Sequence, residues 1–161
     1  MKKNSCLMAV GLLFIWMLLA ACAPMQKTVI TNSNLPTLKG TWSGWTTFSS
    51  YQSNPLRTTL EISNDTVPIQ GRIILHNFPG IARYFIGIPL EDVRADNSII
   101  LNFKNGKITG DGTLLGTNGQ NFLELTYYFE GEKQKFNGRF YFYGGTGDFT
   151  ATKTYDTSRK E

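Results

Sequence analysis

Between residues 39 and 153 apolar and polar side chains alternate with a period of two, and no stretch carries a 3.6-residue apolar stripe. Successive residues of an extended chain point to opposite faces, so this pattern builds strands with one dry face and one wet face. Leu56, Thr58, Leu60 and Ile62 alternate with Arg57, Thr59, Glu61 and Ser63. Leu123, Leu125, Tyr127 and Phe129 oppose Phe122, Glu124, Thr126 and Tyr128. Phe136, Gly138, Phe140 and Phe142 oppose Asn137, Arg139, Tyr141 and Tyr143.

Turn-forming residues separate these runs, among them Ser63-Asn64-Asp65, Asn77-Phe78-Pro79-Gly80, Asp96-Asn97, Asn105-Gly106, Thr117-Asn118-Gly119, Glu130-Gly131-Glu132 and Gly144-Gly145. Asn and Gly tolerate the positive φ that tight hairpins require. The punctuation predicts strands over 39–48, 56–63, 67–76, 82–90, 98–104, 107–115, 121–130, 134–143 and 147–153. Short connections favour an all-β, antiparallel up-and-down barrel of about eight strands, because closure removes exposed sheet edges. A β-sandwich or a partly open barrel is the alternative. Gly71, Gly110 and Gly138 each follow an apolar residue by two places, and glycine at such positions marks a bulge or the sharp bend of a coiled strand.

The N-terminus is built differently. Met1-Lys2-Lys3-Asn4 is short and positive, and nothing from Cys6 to Ala21 is charged. A positive end followed by an apolar run has the layout of an export signal, and this run is short for the roughly 20 residues that span a bilayer. Leu19-Ala20-Ala21-Cys22 ends it and resembles the lipobox of bacterial lipoproteins. The resemblance implies a signal peptide over 1–21, cleavage before Cys22, and lipid on the Cys22 sulfur. Ala23, where an Asp commonly retains lipoproteins in the inner membrane, implies the outer membrane if the envelope is Gram-negative.

On that reading Cys6 is removed and Cys22 is consumed by lipid, which leaves no thiol for disulfide, redox, nucleophilic or metal chemistry. Residues 22–38, polar and carrying Pro24 and Pro36, read as the lipidated cysteine and a flexible tether. The barrel domain follows over 39–153 and a polar tail over 154–161. Loss of Lys2 and Lys3 leaves 14 basic against 12 acidic residues, a balance with no electrostatic case for nucleic acid.

Gly40-Thr41-Trp42 opens the first long strand, shortly after Leu35-Pro36. With a meander of this size, it resembles the calycin group, which includes lipocalins and avidin-like proteins. The resemblance implies a barrel with Trp42 across its closed end, an apolar cavity and a small hydrophobic ligand. No Thr-Asp-Tyr follows on a later strand, and with a short polar tail after 153 no C-terminal helix of the calycin kind is expected.

Catalytic chemistry has few candidates. His76 is the only histidine and stands at a strand end, where a hydrogen-bonded structural role is expected. One His with no usable Cys offers zinc no ligand set, and no Gly-x-Ser-x-Gly elbow occurs. Asp111 and Asp148 sit among glycines and read as turn residues; Glu91 and Asp92 would face opposite sides of a strand. Neither an enzyme nor a cofactor or metal is expected.

Aromatic residues are more abundant than one face must bury. Trp42, Tyr84, Phe85 and Tyr127 are the expected ligand-contacting residues, and 81–90 could form an apolar flap. Two functions stay open: a membrane-anchored envelope lipoprotein holding a small apolar ligand, or a structural or protein-interaction lipoprotein with a filled barrel and an aromatic docking face.

Overall fold

Among the described residues each long strand pairs antiparallel with the next, and the last returns to pair with the first. The computed structural model describes residues 26–49, 51–79, 93–110, 112–118, 121–142 and 145–154. Among the described residues the strands are β1 Gln26–Lys27, β2 Gly40–Phe48, β3 Tyr51–Ile62, β4 Ile69–Leu75, β5 Ile99–Ile108, β6 Thr113–Asn118, β7 Asn121–Glu130, β8 Lys133–Phe142 and β9 Gly145–Lys153. β2 to β9 follow one another around the sheet, and β9 pairs with β2 from Trp42↔Lys153 to Phe48↔Gly147. The result is a closed eight-stranded antiparallel up-and-down barrel, compatible with a calycin-like fold. Closure decides against the sandwich and the open barrel, and it leaves β2 and β9 no free edge.

Register carries the alternation around the wall. Trp42 pairs with Leu60, Leu60 with Ile73, and Ile73 with Leu101, so one inward row crosses four strands. Leu123 pairs with Phe140, Leu125 with Gly138 and Tyr127 with Phe136, and the buried members of these rows form a single core.

Two of the three marked glycines stand where a neighbouring strand comes close. A Cβ at Gly138 would lie 2.0 Å from the Glu124 carbonyl oxygen, and one at Gly71 would lie 2.2 Å from that of Glu61. Neighbouring strands approach so closely there that no side chain fits. Gly110 differs: it sits in the β5–β6 connection with nothing within 4 Å of a built Cβ.

The expected turns at Asn77 and Asn97 occur, both with left-handed backbone (φ 51° and 57°). Asn105-Gly106 corrects the reading of two strands over 98–104 and 107–115. β5 runs through it, and the reversal comes at 109–112, where Thr109 and Thr113 exchange hydrogen bonds. Gly106 instead faces Ile69, whose Cβ and carbonyl would each lie 2.7 Å from a Cβ. The glycine serves a close strand approach at the irregular β4–β5 register rather than a hairpin corner. The strand expected over 82–90 lies outside the described residues.

From Gln26 onward the stretch expected as tether belongs to the packed body. β1 pairs with β7 through Gln26↔Phe129 and Lys27↔Tyr128, beyond the end of β6. A 3-10 helix over Asn32–Thr37 follows, and Ile30, Leu35 and Leu38 are buried against the barrel core. We call this helix-covered end of the barrel its base. Thr154 extends β9 by donating to the Thr41 carbonyl at 2.9 Å; the rest of the expected tail lies outside the described residues.

Candidate functional site

β2 delivers Trp42 into the base because its position shares parity with Thr46 and Phe48 on the inward face. The indole Nε1 donates to the Leu38 carbonyl at 2.9 Å, so the residue that covers the base also satisfies the ring's polar atom. Phe136 and Tyr127 pack on the same ring, with centroids 4.4 and 6.0 Å away. Of the expected ligand-contacting residues, Trp42 and Tyr127 are therefore brought together, with exposures of 0% and 1%. Tyr84 and Phe85 lie outside the described residues, as does Cys22.

Lys153 closes this cluster from β9. Its Nζ lies 5.3 Å from the centre of the Trp42 ring, within range of a cation–π attraction. Burial lowers the pKa of its ammonium from the ordinary value.

The other half of the barrel holds a second aromatic group. Phe48 meets Phe78 at 5.8 Å and Phe140 at 6.0 Å, and Phe140 meets Phe149 at 6.5 Å. Close by, Thr58 donates to the Thr46 hydroxyl at 2.9 Å, both residues fully buried. Sequence reading passed over this polar pair and Lys153. Parity with Trp42 and Phe149 is the signal that places Thr46 and Lys153 inside.

On the outer wall Trp45 stands 58% exposed, three residues after Trp42 and on the opposite face. It borders two shallow grooves. One, of about 560 Å³, is lined by Trp45, Thr47, Pro55, Asp148 and Thr150. The other, of about 360 Å³, includes Ser43, Trp45, Arg57, Lys135 and Thr152. Tyr141 is 36% exposed on the same outward parity of β8, whereas Phe140 is buried. Asp148 accepts a hydrogen bond from Arg139 Nε at 2.8 Å, and this contact raises the Arg139 pKa. Lys135 pairs with Glu130, which raises the lysine's pKa and lowers the carboxyl's.

His76 is held at the end of β4, its Nε2 2.8 Å from the Thr59 hydroxyl and its backbone N–H donating to Arg57. Among the described residues no three His, Cys, Asp or Glu side chains gather as a metal site would need. The chain matches no protein-family model, no curated protein and no solved structure at a significant level.

Proposed function

We infer that this chain is a lipid-anchored lipoprotein of the bacterial envelope, whose barrel is a filled body acting through its outer wall. The interior carries this reading: aromatic rings occupy both halves, and Trp42 and Tyr127 are already in contact with each other. An apolar ligand reaching them would have to displace packed rings, and core rearrangements of that kind cost several kcal/mol. The exposed Trp45, between its two grooves, and the half-exposed Tyr141 supply a docking surface on the wall.

The anchor rests on Leu19-Ala20-Ala21-Cys22 after an uncharged run, and in a Gram-negative envelope Ala23 favours the outer membrane. Two or more acyl chains on Cys22 hold a protein stably on a bilayer, each buried methylene contributing about 0.8 kcal/mol. A calycin-like relation is supported by Trp42 lying across the helix-covered end, where the resemblance places it.

A small apolar ligand is the second reading, favoured by the inward face around Phe48, Phe78, Phe140 and Phe149, which is apolar apart from the Thr46–Thr58 pair. Organic extraction of the purified protein with mass spectrometry, followed by a fluorescent apolar-probe titration, separates the two. The filled body predicts no stoichiometric ligand and no saturable probe binding. A ligand recovered one-to-one would overturn it in favour of the container.

A further inference from the structure

We propose that the base of the barrel is the face that rests on the lipid headgroups, with the opposite end and the Trp45 wall turned toward the envelope space. The inference rests on acylation of Cys22 as read above. Only four residue steps separate Cys22 from Gln26, where β1 begins, and at 3.8 Å per step they span at most about 15 Å. β1 is fixed at the base by its pairing with Tyr128 and Phe129. The chain after it cannot serve as further tether, because Ile30, Leu35 and Leu38 are buried in the core. The ten-residue strands β7 and β8 would extend roughly 33 Å at 3.3 Å per residue, so the far end lies well beyond the reach of such a leash.

The rim of the base has the chemistry of a membrane contact. Val29 and Val67 are 52% and 51% exposed, and both stand there, Val29 beside the β5–β6 turn and Val67 in the β3–β4 turn. Lys39, Lys107 and Lys133 are exposed on the same rim. Glu132 is exposed beside Lys133, while Glu130 is engaged by Lys135. Two exposed valines and three exposed lysines on one rim, set against Asp65 and Glu132, suit an anionic headgroup layer, where each near-surface lysine adds to the attraction.

The test uses full-length, membrane-extracted protein reconstituted in vesicles of phosphatidylethanolamine and phosphatidylglycerol at three to one. Single cysteines replace Val67 or Lys107 at the base, and Thr47 or Ser49 toward the far end, each carrying an environment-sensitive fluorophore. Doxyl-labelled lipid should quench the Val67→Cys and Lys107→Cys labels at least twofold and leave the Thr47→Cys and Ser49→Cys labels unchanged. Equal quenching at both ends, quenching confined to the far end, or none at either would overturn the orientation. The mass of the N-terminal peptide from the same sample separates the two readings. An acylated Cys22 with unquenched base labels overturns the orientation alone, whereas an unmodified Cys22 overturns the anchor and the orientation with it.

Discussion

The indole N–H of Trp42 and the carbonyl of Leu38, four residues apart, are joined by a buried 2.9 Å hydrogen bond that ties the covering segment to the first long strand. Both residues are fully buried, so water replaces neither partner. Trp42→Phe removes the donor, orphans the carbonyl and leaves a void beside Phe136. We expect a loss of about 2–4 kcal/mol, combining an unsatisfied buried acceptor with incomplete ring replacement. Urea denaturation should show a lower midpoint with an unchanged slope.

Leu35→Ala and Leu38→Ala should each cost about 2–4 kcal/mol, as truncations of packed core leucines do. A true tether would tolerate both within roughly 0.5 kcal/mol. Equilibrium unfolding of each variant distinguishes a packed cover from a loose linker.

Gly138→Ala and Gly110→Ala should diverge. At Gly138 a methyl would meet the Glu124 carbonyl oxygen, so the strands must part, at about 1–3 kcal/mol. At Gly110 nothing lies within reach, and the lost freedom of the unfolded chain makes the change neutral or stabilising by about 0.4–1 kcal/mol. Paired thermal melts read the difference directly.

The Thr46–Thr58 hydroxyl pair predicts a non-additive cycle. Thr58→Val strands the Thr46 hydroxyl in the core and should cost about 1–3 kcal/mol. Thr46→Val should cost less, because Thr58 retains the Leu56 carbonyl 3.1 Å away. The double valine variant should be more stable than the sum of the two losses implies, since no buried hydroxyl remains without a partner.

Asp96 gives the fold a pH dependence of known sign. The Ser98 hydroxyl donates to its Oδ1 at 2.6 Å and the Ser98 N–H at 2.9 Å, and these bonds lower its carboxyl pKa. Its contribution is therefore fully present above the ordinary Asp value and fades as pH falls through the lower folded one. Carbon-detected NMR titration should place Asp96 below the usual carboxylate range, and Ser98→Ala should return it toward that range. An unshifted Asp96 in the parent protein would refute the assignment.

Strand existence was legible in sequence because a pleated strand imposes its period on every side chain. Where strands end was less so. Asn105-Gly106 carries a strong hairpin signature, yet β5 passes through it, since an approaching strand at Ile69 also requires glycine. Local chemistry cannot distinguish a glycine that turns the chain from one that admits a neighbour.

The site shows the same division. The calycin resemblance implied Trp42 inside the barrel, alternation grouped Tyr127 with Leu123 and Leu125, and parity alone separates Trp42 from Trp45. The sequence by itself determined an antiparallel all-β body and the two-face alternation of its strands. Only the tertiary structure decided that β9 closes on β2, that Ile30, Leu35 and Leu38 cap the base, and that Lys153 sits over Trp42. Periodicity is a property of neighbours along the chain. Closure, capping and the cation–π contact join residues such as Trp42 and Lys153, far apart in sequence, and they form only once every strand has taken its register.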